Sequence, residues 1–594
     1  MTFRAITATL TTRTALHAGT GKDTDTTDDL LRRDARGRLL IPGTAIAGAL
    51  RSIATRLAPR FTDTEPCQAL TGLTNRACRC SVCRLFGDVN PQEDNETATA
   101  ARLIVYDAVL DALPQRSIRD GVGIDRVTGA AARRERLKFD YEVLPAGTTF
   151  KLRLEIDPRL EHPEQTLLLL AAALAEWEQG RGAIGGRVGR GLGAFNLDNV
   201  QWLEYDLHHI DNLLVFLRDG PPWHAQGDCS WLAGQVQKAR QQVKPWNHRL
   251  RLIARSWVQA EFTLAATGPF LTVDLVQAGR SGFDHAPTLE AYEKGARPVL
   301  PGSSLRGVMR SHAERIARTL ATLNAWNAGK DAADRKTHFL MGCPACNPLT
   351  SKMTDPVASC NSWLKSLSRA ERENLERWGA EDKLCLACRL FGSPWNGSRL
   401  RVEDAPFVGD RVETKVLDFL AIDRFTGGGR DTAKFDAVVL WKPKFRARIL
   451  LENPEPWELG WLALVLRDLH DGLITVGFGA AKGFGQCTIE DPRLTFGVID
   501  GNDFPFPTPE DQQTITARKR LIKTGQGESG VYRTISYDQK AQADWRVLAE
   551  GWVKAFNNLV NDHRHPFGNE SVRDSYFDQI DDYWLSDLYP ARVS

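Results

Sequence analysis

Apolar residues Ile6, Ala8 and Leu10 alternate with polar neighbours near the start of the chain, and Val258, Ala260, Phe262 and Leu264 do the same near its middle. That is the period of a half-buried strand. After Pro42-Gly43 the apolar positions Ile46, Leu50, Ile53 and Leu57 fall at helical spacing, as do Leu305, Met309, Ile316 and Leu320 after Pro301-Gly302, with Thr44 and Ser303 near the cap. Phe150, Leu152, Leu154 and Ile156 alternate again, as do Phe445, Ala447, Ile449 and Leu451. Helices are predicted at about 163–179 and 455–471, where Gly180 and Gly472 would stop them. Strand, helix, strands, second helix and a Gly-rich turn into a last strand make a split β-α-β arrangement. The expected class is α+β, with a ferredoxin-like core in each half.

The halves also share motifs. Leu50-Arg51-Ser52 returns as Met309-Arg310-Ser311, CSVCRLFG around Cys83 as CLACRLFG around Cys388, and Arg102-Leu103 with Asp107-Ala108 as Arg399-Leu400 with Asp404-Ala405. Ile124-Asp125-Arg126, Thr128-Gly129 and Lys138-Phe139-Asp140 return as Ile422-Asp423-Arg424, Thr426-Gly427 and Lys434-Phe435-Asp436, and Gly189 to Gly193 as Ala481 to Gly485. The order is kept while the spacing drifts, which marks a duplicated domain: residues 1–205 and 252–490, a connector at 206–251, and a C-terminal extension at 491–594 that repeats nothing. With 594 residues and 42% hydrophobic content each copy can bury its own core. A net charge of +2 neither demands nor forbids a polyanionic partner, because acidic surface elsewhere can offset a basic groove. The N-terminus lacks the apolar core of a signal peptide and no run of 18 apolar residues occurs, so a cytoplasmic protein without membrane contact is expected.

In that compartment, clustered cysteines bind metal more often than they form disulfides. Cys67, Cys78, Cys80 and Cys83 form one set; Cys343, Cys346, Cys385 and Cys388 form two Cys-x-x-Cys pairs, with Cys360 and His338 near enough in sequence to substitute. Four sulfurs close a tetrahedral structural zinc site and leave no open position, so two loop-clipping zinc ions are expected; buried free thiols are the alternative. The glycine-rich stretch ending in Arg187 and Arg190, and its partner with Lys482, is no nucleotide P-loop, since no Gly-Lys-Ser/Thr follows and a strand comes next. Its glycines permit close approach to a phosphate chain and its cations supply charge; a turn that contacts nothing is the plainer reading.

Taken in order, the Pro-Gly helix with its Arg-Ser, Cys-x-x-Cys-Arg-Leu-Phe-Gly, Asp-Arg-x-Thr-Gly and the terminal Gly-rich loop resemble the RAMP backbone subunits of type III CRISPR effectors, and two units in one chain look like the tandem-fused subunit of III-D-like systems. The resemblance implies that the RRM-like palms grip CRISPR RNA by shape and phosphates. It puts Arg51 and Arg310 on the RNA backbone and Arg126 and Arg424 on a thumb hairpin that splays out a base; a salt bridge such as Arg126 with Asp140 is the alternative there. Other effector subunits and a target RNA are the implied partners.

The resemblance further implies a catalytic aspartate between the first strand and the Pro-Gly helix. Of Asp23, Asp25, Asp28 and Asp29, counting back from Pro42 favours Asp28; in the second copy Asp284 is better placed than Asp274. Such a carboxylate would hold Mg²⁺ or Mn²⁺, or take the proton, while a 2′-hydroxyl attacks the phosphate of the displaced nucleotide. A non-catalytic RNA-binding scaffold is the competing class. A metal-free guide-processing ribonuclease would want paired bases, and nothing pairs His17, His285 and His312.

Overall fold

The computed structural model describes residues 2–21, 23, 27–64, 78, 80–88, 99–110, 116–124, 131, 138–245, 253–292, 295–348, 359–372, 383–507, 512–524, 527–537 and 541–563. The first copy runs β1 (Thr2–Thr12), α1 (Gly43–Phe61), β2 (Leu103–Val105), β3 (Thr149–Ile156), α2 (Pro163–Glu178) and β4 (Phe195–Asp206). The second repeats this as β5 (Ser256–Ala266), α3 (Gly302–Ala328), β6 (Leu400–Val402), β7 (Lys444–Glu452), α4 (Pro456–His470) and β8 (Cys487–Val498). Side by side the first sheet reads β2-β3-β1-β4 and the second begins β6-β7-β5-β8, all pairs antiparallel.

Local chemistry sets these boundaries. Pro163 and Pro456 stand in the first turns of α2 and α4, where a missing N–H costs nothing, and Glu455 with Glu458 forms a reciprocal cap. Each last strand carries a bulge at the same place, with Asn199 (φ 53°) and Asp491 (φ 48°) in the left-handed conformation that these two residue types tolerate. That bulge breaks the alternation near Glu490, and β8 therefore continues past the point where the sequence pattern fades. Trp177 of α2, fully buried and edge-on to Phe195 at 5.0 Å, centres the first core; Trp461 of α4, donating its indole N–H to the Ala313 carbonyl at 2.9 Å, centres the second.

The C-terminal segment completes both copies. After α5 (Gln512–Thr524), strands β9 (Gly527–Ser529) and β10 (Tyr532–Ser536) extend the second sheet beyond β8, and α6 (Gln542–Asp562) packs on α4. The β9-β10 turn reaches the first copy: Arg181, paired with Glu176, donates to Ser529 Oγ at 2.6 Å and Arg240 donates to the Gly530 carbonyl at 2.8 Å. Val531 and Tyr532 belong to the first copy's core.

The copies meet head to tail. The Gly-rich turn of the first copy lies on the start of α3, so close that a Cβ on Gly191 would stand 2.9 Å from the Gly302 Cα and 2.5 Å from Asp404 Oδ1. Around this contact Arg119 bridges buried Asp404 and Glu290, while Arg13 forks onto buried Glu403 at 2.8 and 3.0 Å. Burial pushes the Asp404 and Glu290 carboxyls up, and the Arg119 charge opposes that shift. Among the described residues no helix is long and apolar enough to cross a membrane.

Candidate functional site

Asp28 closes the loop between β1 and α1, and a hairpin strand holds it. Ser117–Val122 pairs with Lys138–Val143, and the edge of the latter meets the loop. The Asp28 amide donates to Asp140 Oδ1 at 2.8 Å, and the Asp140 amide donates back to Asp28 Oδ2 at 2.9 Å. One step on, the Glu142 amide donates to the Asp29 carbonyl at 3.0 Å. The second copy repeats all three bonds on the hairpin Thr414–Ile422 and Gly429–Trp441: Asp284 to Asp436 Oδ1 at 2.8 Å, Asp436 to Asp284 Oδ2 at 3.0 Å, and Val438 to the His285 carbonyl at 2.9 Å. Each carboxylate therefore commits one oxygen to an amide. Among the described residues its other oxygen accepts no hydrogen bond, which leaves two free carboxylate oxygens per copy at an exposed rim.

A cation lies over the aromatic ring beside each pair. Arg187, in a left-handed conformation at φ 60°, sits 4.3 Å from the ring centres of both Phe139 and Tyr141. Lys482 sits 5.3 Å from Phe435 and 5.2 Å from Phe478. Arg190, one 3-10 turn after Arg187, is exposed. In the first copy a cavity of about 680 Å³ opens between this turn and the start of α1, lined by His17, Asp29, Arg32, Thr44, Gly185 and Gly186. His17, 3% exposed, approaches the Glu142 carbonyl with Nδ1 at 2.7 Å and Asp29 Oδ2 with Nε2 at 2.9 Å. The second copy has His285 at the position of Asp29, its ring against Phe435 and Phe478. His312 lies elsewhere, buried in α3 and bonded to Asp468 at 2.8 Å, so the three histidines form no common site.

The hairpin tip of the second copy presents Arg424 and Phe425, the latter 98% exposed, over a turn in which Asp423 accepts from the Phe425 and Thr426 amides. Asp125, Arg126 and the Thr128-Gly129 turn lie outside the described residues, as does Asp25. Arg51 and Arg310 point inward: Arg51 Nη2 donates to Cys83 Sγ and Arg310 Nη2 to Cys388 Sγ, both at 3.6 Å, and Arg310 also donates to Glu314 at 2.8 Å. Burial works against the Arg310 charge, but Glu314 and Cys388 more than offset it and raise its pKa.

Four sulfurs converge in the second copy, and they are Cys346, Cys360, Cys385 and Cys388, all within 4.8 Å of one another and buried. Cys360 takes the corner expected for Cys343. Cys343 ends its helix and turns its thiol to the Ala345 carbonyl at 3.2 Å, and burial pushes that thiol up to about 12. His338 is half-exposed and faces Asp334. Amides of Cys346 and Cys385 donate to Cys385 Sγ and Cys360 Sγ at 3.4 and 3.3 Å, which favours sulfur carrying negative charge. In the first copy Cys78, Cys80 and Cys83 form a matching group of three; Cys67 lies outside the described residues. The periodicity and spacing of the sequence missed Asp140 and Asp436 as carboxylate partners, although Lys-Phe-Asp recurs in both copies; that recurrence was the available signal.

The comparisons with known proteins agree with the duplication. A CRISPR system Cms endoribonuclease Csm3 from Methanocaldococcus jannaschii is 30% identical over 110 residues, 18% of this chain and 41% of that protein, so the match spans well under half of the relative. The family model of the RAMP superfamily matches twice, at residues 9–196 and 282–488, once in each structural copy and together over more than half of the chain. The chain belongs to the RAMP superfamily.

Proposed function

We propose that this chain is a backbone subunit of a type III CRISPR effector, working in the cytoplasm with other effector subunits, that binds CRISPR RNA and cuts complementary target RNA at displaced nucleotides. The observation that carries the reading is the duplicated carboxylate pair: Asp28 with Asp140 and Asp284 with Asp436 are held by the same bonds in both copies, beside a cation that suits a phosphate chain. The split β-α-β order and sheet order support two ferredoxin-like domains, and the name of the Csm3 relative supports the effector class and RNA cleavage.

The donor set fits a hard divalent ion. Two carboxylates offering free oxygens suit Mg²⁺ or Mn²⁺ whose remaining positions are filled by phosphate oxygens and water. When bound, the ion would offset charge on the scissile phosphate. Asp28 and Asp284 would bind at that rim or accept the proton of the attacking 2′-hydroxyl, Asp140 and Asp436 fix their loops, and Arg187, Arg190, Lys482 and Arg424 contact phosphates. Zinc is assigned to the two sulfur groups as a structural ion, with Cys67 as the fourth ligand in the first copy. There Arg51 and Arg310 hold the Pro-Gly helix against the sulfurs, a role that replaces a direct RNA contact.

With a defined guide and a complementary target, Asp28→Ala and Asp284→Ala should each abolish one cut by at least a hundredfold, the double variant both, with RNA affinity retained. Unchanged cutting would leave the scaffold reading, which the reciprocal amide bonds favour to the extent that they also anchor a loop.

A further inference from the structure

Where the copies meet, one buried carboxylate stands among three guanidinium groups. Both oxygens of Glu403 are taken by Arg13, whose Nε and Nη2 donate to them at 3.0 and 2.8 Å and whose other N–H groups reach the Gly180 carbonyl and Asn196 Oδ1. Arg401 and Arg448 lie beside the same carboxylate without bonding to it: Arg401 Nε is 3.5 Å from Oε1 and Arg448 Nη1 is 4.0 Å from Oε2. Arg448 has Gln259 as an acceptor for Nη2 and Glu261 3.6 Å from Nε. Arg401, only 8% exposed, makes no side-chain hydrogen bond among the described residues.

A buried guanidinium with no acceptor is costly, and arginine does not escape the cost by losing its proton. Burial lowers the Arg401 pKa to about 10; Glu403 opposes that shift, and the Arg13, Arg448 and Arg56 charges add to it. At pH 7 the side chain is still a cation. Its Nε and Nη2 are shut off from solvent, as is Nε of Arg448, whereas Nη1 of each remains open. Two cations thus present an unmet N–H edge at one place. That place is on the side of the second sheet away from its core, since Leu400, Val402, Ala447 and Ile449 on the alternate positions are the ones that pack inward. Exposed Arg446 follows Arg448 on the same strand face, and exposed Arg493 of β8 lies across from Glu261 on β5.

The fold does not require a cation there. The spacing that matches Leu103 with Leu400 and Asp107 with Asp404 puts Ile104 at the place of Arg401 and Tyr106 at that of Glu403. The counterpart of Arg448 is Arg153, which lies over the Trp223 ring at 5.7 Å. The first copy therefore builds the same strand with an isoleucine.

We propose that Arg401 and Arg448 form a binding site for a phosphate-type oxyanion at the seam between the copies, with Arg446 and Arg493 at its mouth and the Arg13–Glu403 pair as its wall. Guanidinium edges match phosphate oxygens two donors at a time. Five arginines against Glu403 and Glu261 leave an excess of positive charge that a phosphate dianion meets better than a single carboxylate does. The site shares no residue with the Asp28 and Asp284 rims and stands whether or not either copy cuts RNA.

Calorimetric titration of the full chain with pyrophosphate at physiological ionic strength tests the site. One saturable site with a Kd below about 1 mM is expected, and Arg401→Ile, the first copy's residue, should weaken it about tenfold or more. Because that change removes a buried charge without an acceptor, it should not lower the melting temperature of the ligand-free protein. Should the variant nevertheless fail to fold, Arg448→Gln carries the same expectation. Competition separates the sources of the phosphate: displacement by unphosphorylated hexauridylate assigns it to an RNA phosphodiester, and displacement by ATP but not by that RNA assigns it to a free or terminal phosphate. Absence of a saturable site in the wild type, or undiminished binding in a folded variant, would overturn the proposal.

Discussion

The first and second copies hold the same carboxylate pair to within 0.1 Å in its two reciprocal bonds, yet nearly everything around that pair differs. The cation over the hairpin phenylalanine comes from Arg187 in one copy and from Lys482, three positions further along the equivalent turn, in the other. Arg187 adopts a left-handed backbone where the second copy has Gly479, a conformation that costs a non-glycine residue about 1–3 kcal/mol. A cation at this spot is retained although its source has moved, which places the constraint on the charge and not on the loop.

The sulfur groups should separate the copies most. Cys388→Ser should lose one of two zinc ions by elemental analysis and with it binding free energy on the order of 10 kcal/mol, unfolding the insertion of the second copy, while Cys83→Ser should lose the other ion from the first. Equal zinc content before and after either change would sink the metal assignment.

Hairpin register sets Asp120 opposite Asp140 and Asp418 opposite Asp436, so Leu417 holds the place of Arg119 in the second copy, and Arg119→Leu copies that residue into the first. It strips Asp404 and Glu290 of their counter-charge at the junction and should cost about 3–5 kcal/mol in denaturant unfolding, against less than about 1 kcal/mol for Leu417→Ala on the half-buried hairpin. Similar values would mean that the junction is not stapled by this network.

Gly191→Ala meets both a positive φ of 109° and the Gly302 backbone, and should cost roughly 3 kcal/mol; Gly483→Ala, with φ 78° and open space, should cost roughly 1. Thermal melts of the two variants would test whether the contact persists in solution.

The smallest expected effect is one of pH. Burial pushes Glu403 up, but Arg13, Arg401 and Arg448 pull it further down, so its pKa is lowered in the folded protein. Its contribution to stability is then present above the unfolded value, about 4.3, and is lost as pH falls through the folded one. Glu403→Gln should flatten the acid side of a melting-versus-pH curve, whereas Tyr106→Phe should leave it unaltered; Tyr106 holds the matching position of the first copy, its amide donating to the Arg153 carbonyl as that of Glu403 does to Arg448. An unchanged acid limb in Glu403→Gln would count against the ion cluster.

The elements were legible in the sequence where periodicity is local. Ile46, Leu50 and Leu57 share the buried side of α1, and the helices foreseen near 163–179 and 455–471 run Pro163–Glu178 and Pro456–His470. What escaped depends on long-range pairing. Arg119 and Asp404 are 285 residues apart, and no pattern in either segment announces the bond. Cys360 lacks a Cys-x-x-Cys partner, so spacing favoured Cys343, and only the packing of its helix start against Cys385 puts its sulfur in the group. Arg51 and Arg310 occupy helix positions that look solvent-facing until the Cys-x-x-Cys turn closes over them.

The β9-β10 turn has a temporal side. Arg181 and Arg240 meet their partners on Ser529 and Gly530, and Tyr532 fills space beside Trp257. At ribosomal rates of about 5–20 residues per second, the nearly 300 residues between Arg240 and Tyr532 take roughly a quarter of a minute to a minute to synthesise. Throughout that interval the N-terminal domain, though already outside the ribosome, carries an unfilled seam, and a stop codon anywhere before the last hairpin would leave the earliest-made domain as the damaged one.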